Sequence, residues 1–208
     1  MTTNSLRIKD FWFAVLQLKY TMNQTGNTQH EEIVSNELKK VGFNVVDLEN
    51  KDAYTKAYGK SFENLPEGTF ISQPNGDQSS PDFLGKVNGK FVPIECKSSK
   101  GAQPTYNGGL PKKDVVYIFS SKKYDETTIY FAQDVVSDAK RDLYAEYLEK
   151  QAELLNEYRS MPEWKEDDRG FDFYNRAMYT QSGGAVKTNY FTHTKRNYCE
   201  QRVINHNW

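Results

Sequence analysis

Apolar and polar positions follow one another along the 208 residues in blocks of different period. Residues 6–20 (LRIKDFWFAVLQLKY) interleave apolar and charged positions as a helix lying on a protein body does. Thr28 precedes Glu31 by three residues, the spacing of a capping box. It predicts a second helix from about Gln29 to Val41 that stops at Gly42. FNVVDL at 43–48 reads as a strand, and the polar stretch from 49 to 80 as loop, with EGTFIS at 67–72 a candidate extra strand. PDFLGKV and KFVPIECKSS flank Asn88-Gly89, the best short-range signal of a β-hairpin. DVVYIFSS at 114–121 and TIYFAQ at 128–133 predict two further strands. From Ser137 to about Met161, Leu143, Tyr144, Tyr147, Leu148, Leu154, Leu155 and Tyr158 recur at three- and four-residue steps and predict a long helix. Beyond Pro162 the chain reads as aromatic, polar and irregular to its end. The order is that of an α/β protein, with helices before and after a central set of strands.

Composition narrows the class. With 37% hydrophobic and 26% charged residues the chain can bury a core, and no internal repeat or long linker divides it. The length suits one domain with a small appendage, and we divide it into an N-terminal helical segment (1–27), a core (28–135) and a C-terminal region (136–208). A mean hydropathy of −0.82 and the lack of a long apolar run exclude a membrane-spanning helix. FWFAVL at 11–16 follows Asp10 and lacks the basic region and length of a signal peptide. Two cysteines, Cys96 and Cys199, make neither a disulfide framework nor a paired metal motif, so a reducing cytoplasmic setting is expected. Net charge is −1, but it is unevenly spread: +6 over 86–123, −4 over 137–170 and +4 over 176–208. Two basic blocks flanking an acidic one suit a polyanion partner, and equally a solvated surface.

The chemistry concentrates in SSPDFLGKVNGKFVPIECKSS. Glu95 and Lys97 lie two apart and share one face of a strand, while Cys96 points to the other, toward the core. Pairing through Asn88-Gly89 brings Asp82 close to Glu95. Two carboxylates at a strand end make the oxygen-rich, anionic cleft that a hard divalent ion such as Mg²⁺ takes, together with water and substrate phosphate. The adjacent lysine has two possible jobs: positioning or deprotonating a water, or stabilising charge on a phosphorane-like centre. Glu and Lys alternating on a strand also describe a plain solvated face, but here they close an apolar FVPI run.

Pro81-Asp82, followed thirteen residues after the aspartate by Glu95-Cys96-Lys97, resembles the PD-(D/E)XK nuclease superfamily, type II restriction endonucleases in particular. The resemblance covers roughly 28–135. It implies a restriction-endonuclease-like core, a mixed central β-sheet flanked by α-helices, that hydrolyses phosphodiester bonds with Mg²⁺. By that resemblance Asp82 and Glu95 hold the metal, the Cys96 main-chain carbonyl adds a ligand, and Lys97 orients the attacking water. It also implies an acidic residue from the preceding helix, Glu31 or Glu32. Glu31 shares a face with Val34, Leu38 and Val41, whereas Glu32 lies with Ser35, Asn36 and Lys39. Glu31 is the better candidate, although the capping box alone would account for it.

Around this core, GAQPTYNGGLPKKD at 101–114 offers Gln103, Tyr106, Asn107, Lys112 and Lys113 to a DNA backbone or bases, or is simply a structured loop. In the tail, Lys187, Lys195, Arg196 and Arg202 alternate with Tyr190, Phe191 and Tyr198, as in a DNA-contacting segment or one packing its aromatics. His30, His193 and His206 have no metal-ligand spacing, and His30 reads as a surface residue. The Leu/Tyr stripe of the long helix would pack on the sheet or form a homodimer seam. The expectation is a Mg²⁺-dependent, sequence-specific endonuclease of double-stranded DNA, a homodimer whose residues 136–208 serve recognition. The alternatives are a structure-specific resolvase or repair nuclease, a non-catalytic DNA-binding protein on a nuclease fold, and a structural α/β protein with a chance motif.

Overall fold

Thr2 accepts a hydrogen bond from the Ser5 amide and starts helix α1 (Thr3–Leu16), which buries Ile8, Phe11, Trp12 and Val15 at helical spacing. The computed structural model describes residues 2–20, 27–48, 51–59, 62–76, 79–106, 109–173, 179–180 and 191–208. Helix α2 (Asn27–Lys40) buries His30, Val34 and Leu38. It ends at Gly42, whose φ of +92° is the left-handed conformation that favours glycine. The Thr28 side chain lies outside the described residues.

Strand β1 (Asn44–Val46) pairs in parallel with β2 (Thr69–Ser72), and helix α3 (Lys51–Tyr58) lies between them in sequence. That helix falls where the sequence suggested loop. It has eight residues and one fully buried side chain, Tyr54, which packs with Leu65 and Ile71 and donates to the Ser72 carbonyl. So short an element carries too few periodic positions to be read.

Strands β3 (Phe83–Val87) and β4 (Lys90–Ser99) form the expected hairpin. Asn88 and Gly89 have φ of +51° and +76°, the left-handed pair of a type I′ turn. Between β4 and β6 (Val116–Ser121), which are parallel, lies β5 (Thr105–Tyr106), paired with β8 (Tyr179–Thr180). Strand β7 (Glu126–Phe131) completes a mixed, open six-stranded sheet of order β1-β2-β3-β4-β6-β7.

Helices flank this α/β sheet. One face, with Phe83, Val92, Ile94, Cys96, Val116 and Ile118, packs on α1, α2 and helix α7 (Arg196–Ile204). Val203, Ile204 and Trp208 join that core, so the end of the chain is helical and structural where the sequence read as irregular. On the opposite face Tyr106, Tyr117, Phe119, Tyr130 and Phe191 form a second, aromatic cluster. Short helices α4 (Ala132–Val135) and α6 (Pro162–Lys165) bracket α5 (Asp138–Arg159), a helix of 22 residues capped by Ser137. No residue of α5 is buried: Leu143, Tyr147, Leu154 and Tyr158 are all exposed, so the stripe does not pack on the sheet. Among the described residues no helix is long and apolar enough to cross a membrane.

Candidate active site

The hairpin register brings the acidic groups together. Phe83 pairs with Ile94, so the next position along each strand sets Asp82 beside Glu95, on the face away from the core residues Phe83, Ile94 and Cys96. Asp82 Oδ2 accepts the Cys96 amide at 2.6 Å. The main-chain group of Cys96 that meets the carboxylate is thus its N–H. Lys97 Nζ donates to Glu95 Oε1 at 2.6 Å. Asp82, Glu95 and Lys97 are 9%, 4% and 8% exposed. Three ionisable groups on a central hairpin, nearly removed from water, are costly for stability alone.

Glu31 reaches the same place from α2. Gln73, the residue after β2, donates through Nε2 to Glu31 Oε2 at 2.7 Å and to Asp82 Oδ1 at 3.3 Å. Its own backbone N–H donates to the Asp82 carbonyl at 2.7 Å, and its φ of +49° turns the chain at the strand end. Gln73 therefore links the carboxylates of helix and hairpin. Sequence reasoning missed it, although a polar residue directly after the apolar TFIS run is the signal of a strand-end position. Glu32, the other candidate, is exposed to solvent.

The charges perturb one another. Burial pushes the Asp82 carboxyl up to about 7, and the charges of Glu95 and Glu31 push in the same direction, against the Cys96 amide and Lys97. Burial alone would push Lys97 down, but the charge and hydrogen bond of Glu95 and the charge of Asp82 outweigh it, and its pKa is raised. Lys97 is accordingly a firm cation at neutral pH, suited to orienting and charge stabilisation rather than to taking a proton. His30, expected on the surface, is buried; its Nε2–H donates to the Ile118 carbonyl at 3.4 Å, and burial lowers it to about 4, so the ring is neutral.

A segment after β4 covers the pair. Ser80, Glu95, Lys97, Tyr106, Gly109, Leu110 and Tyr117 enclose a cavity of about 10 Å³, room for about one water-sized species. Glu95 Oε2 and Ser80 Oγ are buried without a hydrogen-bond partner. Lys112 Nζ donates to the Ser80 carbonyl at 3.1 Å, and Arg141 Nε of α5 donates to the Pro111 carbonyl at 2.8 Å, fastening the segment down.

Among the described residues no three His, Cys, Asp or Glu side chains are gathered as a ready-made metal cage. Mg²⁺ needs none, since one or two carboxylates with waters and phosphate suffice. The orphaned Glu95 Oε2, beside a carboxyl driven up by burial and then by the charges of Glu95 and Glu31, fits a hard cation held by Asp82 and Glu95.

No family model, curated protein or solved structure matches this chain. The geometry itself is what supports a functional reading.

The remaining predicted contacts are dispersed. Tyr106 is buried, edge-on to Tyr117, with its hydroxyl 3.2 Å from that of Tyr130. Gln103 is half-buried, and Lys113 and Lys195 are exposed. Arg196 pairs with Glu126 and Glu200 at 2.6 and 2.8 Å, and Arg202 with Asp134 at 2.5 Å. Asn107, Lys187 and Tyr190 lie outside the described residues.

Proposed function

We propose that this protein is a Mg²⁺-dependent endonuclease of double-stranded DNA, built on a restriction-endonuclease-like core and sequence-specific in the manner of type II restriction enzymes. The observation that carries the reading is the convergence of Asp82, Glu95 and Lys97 on one face of the β3–β4 hairpin, with Glu31 joined to them through Gln73. Asp82 and Glu95 would hold the ion, aided by the Cys96 carbonyl, with Glu31 acting directly or through water. Bound there, Mg²⁺ supplies Lewis-acid activation of water and neutralisation of charge at phosphorus.

The chain's own groups do the rest. Lys97, charged and fixed by Glu95, would orient a water for in-line attack and donate to a non-bridging oxygen of the phosphate. Gln73 holds the Glu31 and Asp82 carboxylates in register. Tyr106 and Leu110 keep solvent from the pair, and their segment has to shift before a phosphodiester can enter. The exposed stripe of α5 supports a homodimer, whose two-fold axis would match a palindromic duplex site.

The test is incubation of the purified protein with phage DNA in Mg²⁺ or in EDTA, alongside Lys97→Ala. Discrete fragments with Mg²⁺ alone, absent for Lys97→Ala, are expected. A smear, or cutting of branched substrates alone, would point to a structure-directed nuclease. Intact DNA on every substrate, or wild-type cutting by Lys97→Ala, overturns the assignment.

A further inference from the structure

On the sheet face that carries α7, away from the acidic cluster, the turn before β6, the end of β7 and α7 enclose a cleft of about 540 Å³. That volume lies within the range of small-molecule sites. Its lining is mostly apolar by area, with amides and one paired guanidinium set into it. Phe131 forms an aromatic floor, Tyr198 projects into solvent beside it, and the amides of Gln133, Gln201 and Asn205 stand around them. The Arg202 guanidinium lies 5.6 Å from the Phe131 ring centre and 5.7 Å from that of Tyr198.

Arg202 is held where it is. Asp134, nearly buried, accepts from Arg202 Nη1 at 2.5 Å and from the Phe131 amide at 3.1 Å. With its charge matched by Asp134 and its guanidinium over the Phe131 and Tyr198 rings, Arg202 steadies Tyr198 as a stacking platform rather than offering a free cation to phosphate. His206, also lining the cleft, is pushed down by burial and by the charges of Lys90 and Arg202, against Asp114, so its ring is uncharged at neutral pH. Gln133 supplies the polar specificity. Its Nε2 donates to Asp114 Oδ1 at 2.6 Å, and its Oε1 is buried with no partner. A modest turn about the terminal torsion would offer that acceptor, with the second Nε2 hydrogen, to a ligand edge carrying a donor beside an acceptor. A glutamine amide pairs in this way with an exocyclic amine next to a ring nitrogen, or with a ring N–H next to a carbonyl.

We propose that this cleft binds a single unstacked nucleobase whose edge carries a donor beside an acceptor, stacked on the free face of Tyr198 and read by Gln133. The inference is independent of cleavage chemistry. Isothermal titration of the full chain with adenosine, cytidine, purine riboside and pyrimidin-2-one riboside, each to roughly 5 mM, tests it. Adenosine and cytidine are expected to bind, and the two analogues, which lack the exocyclic amine and gain no ring N–H in its place, to bind about tenfold more weakly, because Gln133 Oε1 then stays unpaired. Tyr198→Ala, at an exposed position that the core does not need, is expected to weaken adenosine by about five- to a hundredfold. Gln133→Leu is expected to erase the preference for adenosine over purine riboside. Lys97→Ala should bind nucleosides as the parent does, whatever the DNA-cutting assay gives, so the two readings fail separately. Absence of heat with every nucleoside, equal affinity for adenosine and purine riboside, or undiminished binding by Tyr198→Ala overturns the proposal.

Discussion

Replacing Asp82 by Asn removes a charge that the fold holds under protest. The carboxyl is raised from 3.8 to about 7 by burial and by the neighbouring Glu95 and Glu31. A carboxyl whose folded value lies above its unfolded one favours the native state while protonated in both. That advantage is lost as pH rises from about 4 through about 7. A shift of about three units corresponds to about 4 kcal/mol at full ionisation, and we expect about 2 kcal/mol after neighbouring groups relax. Asp82→Asn keeps an oxygen for the Cys96 amide, so its packing is little changed. The variant should therefore be more stable than the parent by about 2 kcal/mol at about pH 8 in EDTA, by about 1 kcal/mol at about pH 5, and scarcely at all near pH 4. His30, lowered to about 4, works the other way: its contribution is present above its unfolded value of 6.5 and is lost as pH falls. Both proteins share it, so their difference cancels it. Urea unfolding followed by circular dichroism across that range gives the difference directly. Added Mg²⁺ at about pH 8 should then raise the parent's midpoint and leave the variant's unmoved. A stability difference that does not vary with pH refutes the reasoning.

Other consequences are as direct. A Cβ on Gly85 would lie 2.2 Å from the buried Phe70 ring, so Gly85→Ala should destabilise by about 1–3 kcal/mol, measured by the same urea titration. Arg141→Ala frees the Pro111 carbonyl, and trypsin should then cut after Lys112 and Lys113 several-fold faster, with no change in the far-ultraviolet spectrum. Leu143→Glu with Leu154→Glu replaces two exposed residues and no buried one. It should leave the thermal midpoint of each protomer unchanged while abolishing self-association in sedimentation, if a second copy covers that stripe.

What could be read from the chain depended on how local its cause was. The Asn88-Gly89 turn sets the register of its own hairpin, so the pairing of Asp82 with Glu95 and the inward turn of Cys96 follow from a few adjacent residues. The orientation of Glu31 followed from helical spacing, because Val34 and Leu38 fix which side of α2 is buried. Gln73 was legible only as a strand-end residue, since its place beside Asp82 comes from β2 pairing with β3 across the intervening polar stretch. His30 looked solvated because its acceptor, the Ile118 carbonyl, lies 88 residues away. Arg196 and Arg202 read as free cations in a basic tail, yet their carboxylate partners include Glu126 on β7 and Asp134 on α4, which no linear spacing discloses. The α7 helix escaped notice because its apolar anchors Val203, Ile204 and Trp208 gather at one end.

The segment pinned over Glu95 and Lys97 by Lys112 and Arg141 has a consequence for occupancy. On the proposed nuclease reading, a pair with space for about one water beside it cannot accept a phosphodiester in this arrangement, so only molecules with the segment displaced would engage one. Apparent affinity would then equal intrinsic affinity multiplied by the displaced fraction: if roughly one molecule in a hundred were open, binding would be about a hundredfold weaker than the contacts alone would give. Brief encounters with arbitrary DNA would meet mostly the shut form. A duplex making enough contacts to hold the segment aside would shift the population toward the open one, so discrimination would begin before any bond is strained.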